Sequence, residues 1–164
     1  MESFLVNPDH KNLKRKLENF NFENPPVNPI EFAAHITQKL LEYNGMSLSA
    51  NQLGYDYNCF VIKSNPMLVM YNAKIVDTGE KMIYLDEQSL TYPGLTVKIK
   101  RPETIKLRFT LPNGETKTEK YTGLTSRLVQ HEMDHMNGII FYNNANYYDR
   151  AKSLKKYKRP FKNI

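Results

Sequence analysis

The chain is defined first by what it lacks. It has one cysteine, Cys59, in 164 residues. No internal disulfide can form, and a reducing compartment such as the cytoplasm fits best. No apolar run approaches the ~18 residues that a membrane-spanning helix needs, so no membrane association is expected. The opening Met1-Glu2-Ser3-Phe4-Leu5-Val6-Asn7-Pro8 has no basic segment followed by a long apolar stretch, so no secretory leader is expected. Internal repeats and low-complexity segments are absent. Most of the chain also lacks charge of one sign. Residues 1–148 hold 16 basic and 16 acidic groups. The formal net charge of +6 belongs to residues 149–164, where Arg150, Lys152, Lys155, Lys156, Lys158, Arg159 and Lys162 face a single acid, Asp149. A basic balance spread over a domain suggests nucleic-acid binding. Here it describes a tail, and specific DNA binding is not expected.

What is present is a globular composition, 40% apolar and 12% aromatic, of a length that supports one core. One domain over residues 1–148 is expected, followed by the basic tail 149–164. A helix starts where Asn28 can cap, Pro29 takes the first helical position and Glu31 follows. Ala33, Ile36 and Leu40 recur at helical spacing, and Asn44-Gly45 ends the run, with Gly45 expected to take the positive φ. Strands are expected at Cys59–Lys63, Leu68–Val76, Leu95–Lys100 and Thr104–Thr110. Pro112-Asn113-Gly114 reads as a hairpin turn into a strand at Glu115–Tyr121. A second helix covers about 123–137 and puts Leu124, Leu128, His131 and His135 in one inward stripe. Strands followed by one buried helix indicate an α+β fold.

The chemistry concentrates in His131-Glu132-Met133-Asp134-His135. Two His residues four apart on a helix share a face and can bind one divalent ion. The Glu between them sits where it can take a proton from an activated water and return it. A catalytic site of this kind needs a third ligand. The common metalloprotease patterns would place it downstream, but residue 141 is Phe141 and Glu132 is the last Glu of the chain. A metalloprotease is therefore the disfavoured reading, and the third ligand is expected upstream. Gly45-Met46-Ser47-Leu48-Ser49-Ala50-Asn51-Gln52 offers small residues for close backbone approach and, in Gln52, an amide donor for a developing oxyanion. Glu87-Gln88-Ser89-Leu90-Thr91-Tyr92-Pro93-Gly94 reads on its own as a polar loop.

Taken together, residues 45–52, 87–94 and 130–138 resemble the three motifs of the peptide deformylases. The family patterns are Gly-x-Gly-Leu-Ala-Ala-x-Gln, Glu-Gly-Cys-Leu-Ser and Gln-His-Glu-x-Asp-His-x-x-Gly, and the third is matched in full by Gln130 through Gly138. The resemblance implies a cytoplasmic, metal-dependent hydrolase of the α+β deformylase fold. Its activity would be removal of the N-formyl group from N-formylmethionyl nascent polypeptides. It implies one divalent ion, natively Fe²⁺, with Zn²⁺, Ni²⁺ or Co²⁺ as possible replacements, held by His131, His135 and the motif-two position. Glu132 would be the general base and then acid, while Gln52 and the Leu90 backbone N–H would hold the oxyanion. Gly45, Met46, Ser47, Leu48, Glu87, Leu124, Arg127 and Leu128 would contact substrate.

The chain departs from the pattern at the third ligand, where Ser89 replaces the family's Cys. A neutral hydroxyl binds such metals more poorly than a thiolate, and weakened metal binding is expected. Three explanations remain open: an engineered Ser, a natural Ser with low activity, or a relative that only binds formyl-peptides or nascent chains. Cys59, in an apolar strand, reads as core packing. Ser47 and Ser49 add hydroxyls where a substrate backbone would pass, and Gln88 replaces a Gly. Arg127 either narrows the methionine pocket or, as the blander reading has it, is an exposed helical cation. The short C-terminus is similar to bacteriophage-encoded forms, for which the setting would be the host cytoplasm. The basic tail is either a ribosome contact or a solvated end.

Overall fold

The computed structural model describes residues 1–158. Arg159 and Lys162 of the basic segment lie outside the described residues. Helix α1 spans Pro29–Glu42, and the Asn28 side-chain oxygen accepts from the Ile30 and Glu31 N–H groups at its start. Its end corrects the sequence reading. Asn44, at φ 53°, takes the left-handed turn, as a short polar residue can. Gly45 serves close approach instead: a Cβ there would lie 2.7 Å from Leu90 Cδ1 and 3.0 Å from Leu40 Cδ1.

Strands β1 (Ser47–Ser49), β2 (Cys59–Ile62), β3 (Leu68–Thr78), β6 (Thr104–Thr110) and β7 (Thr116–Thr122) form one antiparallel sheet in the order β1-β2-β3-β6-β7. Strands β4 (Met82–Ser89) and β5 (Tyr92–Pro102) form a separate two-stranded hairpin. Residues 87–94 are therefore a tight strand–turn–strand rather than a loop, and residues 47–49 are a strand at the edge of the main sheet. The mixture of layered strands and packed helices is the α+β class expected.

Strand β2 is buried at every residue and serves two cores through its two-residue period. Cys59 and Val61 join Phe32, Ile36 and Leu40 of α1. Phe60 and Ile62 join Val129 and Met136 of helix α2, Gly123–Met136. A third cluster lies on β5, where Tyr92, Leu95, Val97 and Ile99 meet Phe141. Helix α3 (Tyr147–Lys158) rests on that cluster through Leu154 and Tyr157. Lys152, Lys155 and Lys156 stay exposed, as do Tyr147 and Tyr148. No helix among the described residues is long and apolar enough to cross a membrane.

The α2 stripe is narrower than the periodicity suggested. His131 and His135 are buried, Leu128 is half-buried, and Leu124, in the first turn, is 57% exposed. Gly138 (φ 69°) closes the helix, and a Cβ there would lie 2.5–2.7 Å from the Arg15 backbone. The N-terminal segment is thereby laid across the end of α2, where the Leu17 N–H donates to the Met136 carbonyl.

Candidate active site

A cleft of about 430 Å³ opens between the α1–β1 connection, the β4–β5 hairpin and the face of α2. Twelve of the fourteen residues expected from the sequence line it. They are Gly45, Met46, Ser47, Gln52, Glu87, Ser89, Leu90, Leu124, Arg127, Leu128, His131 and Glu132. Leu48 departs from its expected role as a substrate contact: it is fully buried in the α1 core, because β1 alternates and sends it to the opposite face from Ser47. His135 lies deeper, beneath His131, with ring centroids 5.4 Å apart. The Ser49 hydroxyl is buried and bonded to Asn51 Oδ1 and Gln52 Oε1.

Each chemical group is held from behind. His131 Nδ1 is 2.9 Å from Glu87 Oε1. A carboxylate can only accept, so Nδ1 carries the proton and Nε2 keeps a lone pair. Phe141 packs against the same ring at 5.2 Å. Burial above all, with the positive Arg101 nearby, pushes His135 well below its usual range and keeps it neutral. Burial raises Glu132 as well, against the pull of His131 and of the Ser47 and Ser49 hydroxyls. Gln52 has its orientation fixed: Oε1 accepts from the Ser49 N–H at 3.0 Å, which turns Nε2 toward Thr91 Oγ1 (2.9 Å) and Ser89 Oγ (3.4 Å).

Behind the cleft lies an ion cluster that sequence reasoning missed. Arg101 grips Glu87 through Nε (2.6 Å) and Nη2 (2.9 Å), and Nη2 also reaches Asp134 at 2.9 Å. Arg127 is buried, which corrects the exposed reading. It donates to Glu87 Oε2 at 2.7 Å and to the Ile99 and Ile83 carbonyls. Burial pushes the Glu87 carboxyl up, but the hydrogen bonds from Arg101 and His131 outweigh it and bring it down to about 2. A signal for Arg101 was present: Leu95, Val97, Ile99 and Arg101 continue one inward alternation on β5. Arg127 had none, since its carboxylate partner is 40 residues away.

Comparison with known proteins identifies the family. The polypeptide deformylase family model matches residues 2–151. The chain belongs to the peptide deformylase family. It is 31% identical over 133 residues to a peptide deformylase of Synechocystis sp., covering 77% of this chain and 71% of that one. It is 35% identical over 121 residues to the peptide deformylase of Borreliella burgdorferi, covering 70% and 72%. A solved peptide deformylase of Plasmodium falciparum superposes with a TM-score of 0.85 at 25% identity, over 97% of both chains. Peptide deformylases are metal-dependent hydrolases acting on formylmethionyl peptides, and this chain is an enzyme of that class.

The residues of this deformylase site fit a divalent cation through two imidazoles and a hydroxyl. His135 Nε2 and Glu132 Oε2 are buried without any hydrogen-bond partner, a costly condition unless a further group satisfies them. Among the described residues no group of three His, Cys, Asp or Glu side chains is placed to hold a metal ion, and Ser89 lines the cleft beside His131. Its Oγ accepts from the Thr91 N–H at 3.3 Å as well as from Gln52.

Proposed function

We propose that the chain hydrolyses the formamide of N-formylmethionyl peptides, with a divalent ion held by His131 and His135 and weakly by Ser89. The two orphaned atoms, His135 Nε2 and Glu132 Oε2, carry this reading. When bound, the ion supplies Lewis acidity that lowers the pKa of water and polarises the formyl carbonyl. Glu132, destabilised as an anion by its burial, takes the proton of the attacking water and delivers it to the departing amine. Gln52 Nε2 gives up its long 3.4 Å contact with Ser89 and donates to the carbonyl oxygen as that oxygen gains charge. The Leu90 N–H donates from the other side. Glu87 holds His131 in the tautomer that leaves Nε2 free. Leu124, Leu128 and Met46 line the apolar part of the cleft and receive the methionine side chain.

Ser89 supports a second reading, an impaired deformylase that binds formyl-peptides with little turnover. Its oxygen is neutral and already accepts two hydrogen bonds. Metal analysis combined with formate release from a formyl-Met peptide decides between them. A metal-loaded, active chain supports the first reading. A chain that binds the peptide without releasing formate supports the second, and cleavage of an internal peptide bond contradicts both.

The same proposal places the reaction in the cytoplasm, on the newly made chain. The exposed Lys152, Lys155 and Lys156 of α3 then attract ribosomal RNA phosphates, an attraction that falls steeply with salt. Equal pelleting of full-length and 1–148 chains with ribosomes would end that part of the proposal.

A further inference from the structure

A second cleft exceeds the reaction cleft in volume. A cleft of about 770 Å³ lies on the opposite side of α2, walled by β3, the end of β5, β6 and the segment 16–19. Its rim carries Lys16, Lys74, Lys100 and Arg108. The single acid in its lining, Asp134, is already engaged by Arg101 and Asn144. Among the described residues, the side chains of Lys16, Lys74 and Arg108 take part in no ion pair or hydrogen bond.

Two further observations point to a ligand. The first is register. Lys74 on β3 is paired directly opposite Arg108 on β6, just past a bulge between Tyr71 and Lys74. Like charges facing each other across a ladder repel, and an anion between them removes that cost. The second is Asn58, which lines the cleft, is 7% exposed, and has a side-chain oxygen with no hydrogen-bond partner. That oxygen only accepts, so a bare anion does not satisfy it. The ligand must bring a hydroxyl or amine donor to Asn58 while it presents negative charge to the rim.

We infer that this cleft binds a phosphate-bearing ligand of mononucleotide size, with its phosphates between Lys74 and Arg108 and a ribose hydroxyl or base amine on Asn58. The volume lies within the range of small-molecule sites. The same chemistry is offered by a free nucleotide and by one exposed nucleotide of an RNA strand. None of Lys16, Lys74, Arg108 and Asn58 lines the reaction cleft, so the inference is independent of the deformylase reading.

The test is calorimetric titration of the full chain with ADP, without added metal, at about 50 mM and then about 200 mM salt. One saturable site is expected, weakening as salt rises. The Lys74→Ser/Arg108→Ser double variant, changed only at exposed positions, should lose at least about tenfold in affinity while keeping its circular dichroism and its formate release. Asn58→Leu should weaken ADP and leave inorganic phosphate unchanged. A short single-stranded RNA run in parallel identifies the source: tighter binding than ADP assigns the cleft to RNA, weaker binding to a free nucleotide. No saturable binding of either probe overturns the inference. So does ADP binding that the double variant leaves intact, which would put the phosphates elsewhere, such as at His131 and His135.

Discussion

Helix α2 has a cleft on each side, and the two are built on opposite electrostatic rules. On the His131 side the ions behind the cleft are paired: Glu87 receives Arg101, Arg127 and His131, and Arg101 also holds Asp134. On the Lys74 side the side chains of Lys16, Lys74 and Arg108 stand unpaired at the rim. Buried charges must find partners within the chain, whereas exposed ones are screened by water and salt. The first cleft is therefore rigid before anything binds, which suits the positioning of reacting groups. The second has charge to spare for a ligand.

This contrast can be broken from the chemical side first. Glu132→Gln keeps the shape of the cleft and removes its proton carrier. Formate release should fall by about 100- to 10,000-fold, with metal content unchanged. Next is Glu87→Ala, which leaves two buried guanidinium groups facing each other. It should lower stability by about 3–5 kcal/mol in urea unfolding and weaken metal binding along with it. An unchanged midpoint would show that the cluster is not the support described.

The helices were legible because their signals are local. Asn28, Pro29 and Glu31 mark the start of α1 within four residues, and the His131–His135 spacing lies within one turn of α2. Strand β4 was not legible, although the core of β5 was, and the burial pattern of β4 says why. Of Met82–Ser89 only Glu87 and Ser89 are buried, while Met82, Tyr84 and Leu85 are exposed. That inverts the polarity that strand reading depends on. The inversion is possible because Glu87 finds its partners on β5 and α2, contacts that no short window of sequence contains. The candidate site was legible for a different reason: most of its residues come in three short runs, and only the charges behind them come from afar.

Smaller effects sharpen the comparison. Ser89→Cys should raise formate release about 100-fold or more, a transition-state gain of about 2.7 kcal/mol, and tighten metal retention against a chelator. No gain in either quantity would dissociate the third corner from the metal. Acid should act through Glu87. Its folded carboxyl titrates at about 2, below an unfolded value of about 4.3. The unfolded chain then binds the extra proton first. The stabilisation is complete above about pH 4.5 and is lost as pH falls toward 2. Melting temperature followed over that window should fall, and Glu87→Gln should flatten the fall. The smallest effect belongs to the other cleft. Lys74→Ser alone should change stability by no more than about 0.5 kcal/mol, tending upward as the repulsion from Arg108 is relieved.

Arg101 links the two clefts, its Nε and Nη2 on Glu87 of the first and its Nη2 also on Asp134 of the second. A link of this kind cannot be moved for the sake of one chamber alone. Any drift in sequence that reshapes the Lys74 cleft near Asp134 must keep the guanidinium where it is, or His131 loses the carboxylate that orients it. The two sides of α2 are thus free to acquire different partners but not to change their common link, so variation should gather at the rims and stop at Arg101.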